Sequence, residues 1–167
     1  MARYVDPLVH NTILDANLLN EVVGGRPPTV NRMVVLEDIN IVLSYSVREE
    51  LNRSATPAAV RAAANRFIYS IRVELTPPEI ASLNCLINEA RGNSQRKNVE
   101  RDLLHIFETG KNGGGHFVTR DDWLLRNAER IWGLAQVEIV TPEQFEEKVE
   151  TAFKLRATLR EANRAST

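Results

Sequence analysis

"NTILDANLLN", residues 11–20, carries three residues of strand character into an acid and then, with no turn signal, into leucines. An aspartate at Asp15, where an apolar run is about to enter a core, needs a reason. Beyond it, short β-branched runs alternate with longer stretches of helical period: Thr12 to Leu14, Asn40 to Leu43, Ile71 to Leu75, Gly115 to Thr119 and Val137 to Val140 read as strands. Such alternation requires crossover connections, and so a mostly parallel sheet of four to five strands covered by helices on both faces. In a sheet of this kind ligands lie beyond the carboxyl ends of the strands, where strand order reverses. Asp15 is expected there.

Helix starts are marked by Thr56-Pro57, Thr76-Pro77-Pro78-Glu79 and Thr141-Pro142-Glu143-Gln144, each reading as a Thr cap before a first-turn proline. Glu79 and Gln144 complete capping boxes. Leu124, Leu125, Ala128, Ile131 and Trp132 share one face of a helix expected to run from Trp123 to Trp132, with the tryptophans in the core. Ile71 to Leu75 alternates apolar with charged residues and reads as the sheet's edge or a half-exposed strand. "KNGGGH", residues 111–116, reads as a flexible connection without the pattern of a phosphate-binding loop.

The 167 residues, 43% of them hydrophobic, suit a single domain spanning 1–167. With 21 Lys and Arg against 22 Asp and Glu, the net charge of −1 argues against coating nucleic acid or an anionic membrane by bulk electrostatics. A single cysteine, Cys85, excludes an internal disulfide framework and is expected as buried helix filler. No window reaches the length of a membrane span, so the chain is expected to be soluble, unprocessed and cytoplasmic.

The chemistry lies in acids. Asp15 ends the first strand, Glu49 and Glu50 follow the second, Asp102 lies on a helix, and Asp121 and Asp122 follow the fourth strand. Carboxylates gathered within a few ångströms repel unless a cation is supplied, and hard divalent ions take such oxygen ligands. The expected cofactor is Mg²⁺ or Mn²⁺, and metal-assisted phosphodiester hydrolysis needs no nucleophilic side chain. His10, His105 and His116 form no metal-ligand motif, though His105 lies three residues beyond Asp102 and could share its helix face. Each acid also has a plainer reading: Asp15, Asp121 and Asp122 as helix caps, Glu50 and Asp102 as solvated helix residues. Arg91, Arg96, Lys97 and Arg101 cluster near Asp102 and read as either an RNA-backbone rim or a solvated turn.

Taken in order, "ILDANLL", "NIVLSYSVREEL", "ERDLLHIF", "HFVTRDDWLL" and the closing "VEIVTPEQF" resemble the PIN domain family, in particular the single-domain VapC-like ribonucleases of toxin–antitoxin pairs. The resemblance covers nearly the whole chain. It implies a three-layer α/β/α PIN-like fold and a metal-dependent endoribonuclease with Asp15, Glu50, Asp102 and Asp121 as metal ligands. Asn17 and Thr119 take supporting roles. It selects Glu50 over Glu49, Asp102 over Glu100, and Asp121 as ligand with Asp122 as the capping acid. RNA as substrate, an antitoxin protein as partner and a homodimer are further implications. "VGGRPPTVNRM", residues 23–33, reads as loop where such toxins continue in a helical arm. A rival reading keeps the fold as a binding or regulatory module that cuts nothing. A phosphatase of the haloacid dehalogenase type would resemble Asp-x-Asp, and here Asn17 occupies the third position.

Overall fold

The computed structural model describes residues 4–24, 28–34, 36, 38–53, 55–72, 74–91 and 98–165. Among these, β1 (Asn11–Leu14), β2 (Ile41–Leu43), β3 (Ile68–Tyr69), β4 (Gly114–Val118) and β5 (Glu138–Val140) form one parallel sheet in the order β3-β2-β1-β4-β5. The helices are α1 (Leu18–Gly24), α2 (Pro28–Val34), α3 (Tyr45–Leu51), α4 (Ala58–Ala64), α5 (Pro77–Arg91), α6 (Val99–Lys111), α7 (Asp122–Arg126), α8 (Ala128–Ala135) and α9 (Pro142–Ala165).

Successive strand residues point to opposite faces of a sheet, and here both faces are covered. Leu14, Leu43, Val118 and Val140 enter one core with Leu18, Met33, Val47, Val60, Phe145 and Val149 of α1 to α4 and α9. Their neighbours Ile13, Val42, Phe117 and Ile139 enter a second core with Leu86, Leu103, Ile106, Leu124 and Ile131 of α5 to α8. The result is the expected three-layer α/β/α arrangement, and burial on both faces explains why the strands read as continuous apolar runs. No helix among the described residues is long and apolar enough to cross a membrane.

Several expectations need correction. The edge strand is Ile68–Tyr69, and the described residues of 71–75 are not strand. Its partner β2 stops at Leu43, because Ser44 caps α3 by accepting from the Val47 N–H. After Ser70 donates to the Leu43 carbonyl at 2.8 Å, the edge has nothing left to pair with, and Ile71 is 75% exposed. Residues 28–34 of the loop-like stretch are helical, with Val30 and Met33 wholly buried; Pro28 is tolerated because it opens the helix. The helix expected over 123–132 is two, divided at Asn127, whose side-chain amide donates to the Trp123 carbonyl at 2.8 Å. Cys85 is exposed and donates to Glu89 at 3.5 Å, since α5 turns Leu83, Leu86 and Ile87 inward instead. Pro57, not Thr56, precedes α4, and it makes no side-chain cap bond. The Thr141–Gln144 box does form, with bonds of 3.0 and 3.2 Å in both directions.

The glycines of residues 111–116 are structural. Gly114 and Gly115 lie inside β4, fully buried, with β4 inserted between β1 and β5. A Cβ on Gly114 would stand 2.8 Å from the Thr109 carbonyl oxygen and 2.8 Å from Ile13 Cδ1. The first is backbone and cannot swing aside, so Gly114→Ala is expected to destabilise the fold by about 2–3 kcal/mol. A urea titration checks this, and an unchanged midpoint would mean that the α6–β4 turn yields.

Candidate functional site

The sheet order reverses between β1 and β4: chain leaving β1 leads to β2 on one side, and chain leaving β4 leads to β5 on the other. The crevice beyond their carboxyl ends is where such a sheet receives a ligand. A cavity of about 510 Å³ opens there, and Asp15, Glu50, Asp102 and Asp121 all line it. They come from four different segments: the end of β1, helix α3, helix α6 and the loop after β4. Glu49 and Glu100 are exposed and do not line the cavity, so the structure distinguishes them from their neighbours.

Two hydrogen bonds hold the Asp15 carboxylate. Thr119, wholly buried at the end of β4, donates its hydroxyl to Asp15 Oδ2 at 2.5 Å and accepts from the Asp121 N–H at 3.0 Å. One side chain thus sets two acids relative to each other. Asn17 contributes a backbone N–H to Asp15 Oδ1 at 3.3 Å, while its side chain is exposed on the cavity wall. Although Asp15 keeps some accessible surface, its carboxylate is packed among protein atoms. That burial pushes its pKa up to about 6; the bonds from Thr119 and Asn17 oppose the rise, and the charges of Asp102 and Asp121 add to it.

Asp121 does two things at once. Its Oδ1 accepts from the Trp123 and Leu124 N–H groups at 2.9 and 3.0 Å, making Asp121 the N-cap of α7. The capping role assigned to Asp122 therefore belongs to Asp121, and Asp122 is the first helical residue. Extended backbone at Asp121 suits the cap geometry, which is what separates the two neighbours. Between Thr119 and Asp121, Arg120 turns away to meet Glu21 at 2.6 Å and Glu143 at 2.8 Å, fastening this loop to α1 and α9.

Glu50 is placed by helix packing. The buried carboxylate of Glu108 on α6 accepts from the Ser46 N–H at 3.1 Å and from the Ser46 hydroxyl, tying the first turn of α3 to α6. One turn further, Glu50 meets Arg101 of α6 at 3.4 Å. Arg101 is therefore not a solvated turn residue: it lines the cavity. Arg96 and Lys97 lie outside the described residues, as does the Arg91 side chain.

Asn98, just before α6, also lines the cavity at helical spacing from Arg101, Asp102 and His105, a signal that was legible; Asn20 and Arg53 line it too and carry no local mark in the sequence. His105 is buried and its pKa is lowered to about 4, by burial first and then by the nearby Arg101 charge, so it is neutral at pH 7.

Four carboxylates line the cavity, and their oxygens are the ligand type that magnesium and manganese prefer. They share a cavity without yet converging: among the described residues, no three His, Cys, Asp or Glu side chains are grouped so as to hold an ion. Glu50 is turned to Arg101, and one oxygen of Asp121 serves the α7 cap. The donor set thus fits a hard cation in kind, and side-chain adjustment at Glu50 and among the aspartates would bring it together. No protein-family model matches the chain, and no curated protein matches it.

Proposed function

We propose that the protein is a metal-dependent endoribonuclease that hydrolyses RNA phosphodiester bonds. The observation that carries this reading is the meeting of Asp15, Glu50, Asp102 and Asp121 around one cavity at the sheet's switch point, with Asp15 resisting ionisation. The charges of Asp102 and Asp121 add to the proton affinity that burial gives Asp15, and a divalent cation relieves that repulsion. Asp15, Asp102 and Asp121 would hold Mg²⁺ or Mn²⁺, with Glu50 joining them. Such an ion, when bound, supplies positive charge against that growing on the phosphate and its leaving oxygen, and lowers the proton affinity of water.

The chain's own part is positional. Thr119 holds Asp15 Oδ2, and the Asn17 N–H restrains Oδ1, so that carboxylate keeps one orientation. Asp121 is fixed by the α7 cap, and Arg120 anchors its loop. Asp15 and Asp121 are thus positioned in advance, while Glu50 has to leave Arg101 to join them.

RNA as the substrate, a cytoplasmic location, a homodimer and the toxin role with an antitoxin partner are supported by the resemblance to the PIN family. The rival, a PIN-like binding or regulatory module, is favoured by one specific feature: Glu50 already has a cation, Arg101. The two readings part on a simple assay. Purified protein incubated with structured RNA and with single-stranded DNA is expected to cleave RNA in Mg²⁺ or Mn²⁺ and to stop on addition of chelator. Cleavage that persists in chelator would overturn the metal site; no Mn²⁺ binding by titration would favour the binding module.

A further inference from the structure

Resting on the nuclease reading, we propose that Arg101 is the phosphate-binding group of this cavity and that Glu50 holds it in reserve: an incoming RNA phosphate takes the guanidinium, and Glu50 is released toward the cation. The Glu50–Arg101 pair is loose. At 3.4 Å it is longer than the 2.6 and 2.8 Å contacts that Arg120 makes to Glu21 and Glu143 in the same protein. Both side chains keep part of their surface exposed, at 31% for Arg101 and 26% for Glu50, so an oxyanion can reach them.

Two buried nitrogens point to what is missing. Arg101 Nε is buried and has no hydrogen-bond partner among the described residues, and neither does Nε2 of His105, one turn along the same helix and lining the same cavity. A guanidinium N–H always carries its proton, so an unpartnered one is a donor waiting for an acceptor. Buried donors left unsatisfied are uncommon and unfavourable, and a phosphate oxygen is the acceptor that the arginine fork matches best after carboxylate. The neutral imidazole of His105, with its proton on Nε2, is a second donor in the same cavity lining. Arg53, from the turn after α3, adds another positive charge to the cavity lining. Without these cations, four carboxylates would repel a phosphodiester.

The exchange makes two demands of opposite sign. With Arg101 as Glu50's counter-ion, removing either partner frees the other. Glu50→Gln is expected to tighten binding of a fluorescent RNA oligonucleotide in chelator by about fivefold, because the guanidinium is released. Glu49→Gln removes the same charge one residue away, from an exposed site, and is expected to change that affinity less than about twofold. Arg101→Gln is expected to weaken RNA binding by about tenfold and, in the same protein, to tighten Mn²⁺ binding several-fold by electron paramagnetic resonance. A residue that merely stabilised the fold would lower both affinities.

The proposal is overturned if Glu50→Gln binds RNA no more tightly than Glu49→Gln, including the case in which neither binds, or if Arg101→Gln binds Mn²⁺ no more tightly than wild type. Should Arg101→Gln fail to fold by circular dichroism, the chelator comparison of the two glutamate variants decides alone. That comparison contains no metal, so it also separates this proposal from the nuclease reading. Tight RNA binding in Glu50→Gln, with no Mn²⁺ bound by wild type, would keep the phosphate site and discard the metal chemistry.

Discussion

Asp15→Asn is expected to abolish metal-dependent RNA cleavage, by at least about 100-fold, and at the same time to make the protein more stable. The two effects share one cause. Burial and the neighbouring charges of Asp102 and Asp121 push the Asp15 carboxyl up to about 6 from an ordinary value of 3.8, so holding it ionised at pH 7 opposes folding. A shift of that size corresponds to roughly 2–3 kcal/mol. Asparagine removes the charge and can still accept the Thr119 hydroxyl through its amide oxygen. It loses the weaker bond from the Asn17 N–H, at 3.3 Å. The net gain is about 2 kcal/mol, or about 4–8 °C in the thermal midpoint of a domain of this size. The comparison belongs in chelator; added Mn²⁺ should then raise the wild-type midpoint and leave the variant where it is. An active variant would remove Asp15 from the chemistry, and a variant less stable than wild type would show that desolvation does not dominate at this carboxyl.

Acid is expected to weaken the fold between pH 6.5 and 4 more than ordinary surface carboxylates allow. His105 and His116 are both buried and neutral, with pKa values lowered from 6.5 to about 4. For His116 the first cause is burial, helped by Lys148 and His10 and opposed by Asp6. Its ring packs edge-on against Phe145 and lies 3.3 Å from Glu138, which also pairs with Lys148 at 2.8 Å. A histidine whose folded pKa is depressed lends stability above its unfolded pKa and loses it as pH falls toward the folded one. Each contributes about 3 kcal/mol. Asp15 acts in the opposite direction: its raised pKa lets the folded state take a proton near pH 6, returning about 2 kcal/mol by pH 4. The expected net loss from pH 7 to pH 4 is roughly 3–4 kcal/mol, read from urea midpoints. Asp15→Asn removes the offset and should steepen the acid limb, whereas His116→Gln should flatten it. A midpoint constant from pH 7 to 4.5 would contradict the buried, neutral state of both imidazoles.

The layer order of the fold was legible because strand and helix announce themselves locally. Alternating apolar runs of two periods are enough to imply a parallel sheet between helices, and Leu14 beside Ile13, or Val118 beside Phe117, needs only the pleat to reach two different cores. Where local pattern misled, a neighbour distant in sequence was responsible. Ile71 to Leu75 alternates well, yet β2 ends too soon to pair with it. Residues 23–33 look like loop, yet Val30 and Met33 find a core to fill. Gly114 and Gly115 look flexible, yet adjoining backbone and side chains leave no room for a Cβ.

The candidate site divides in the same way. The sequence by itself determined which acids stand at strand ends and helix faces, because an acid in or beside an apolar run is visible without coordinates. Only the tertiary structure decided how they meet: the strand order that opens a crevice between β1 and β4, the hydroxyl of Thr119 that joins Asp15 to Asp121, and the guanidinium of Arg101 set against Glu50. Proton affinity and ion pairing depend on distance and on exclusion of water, and neither is a property of residues taken one at a time.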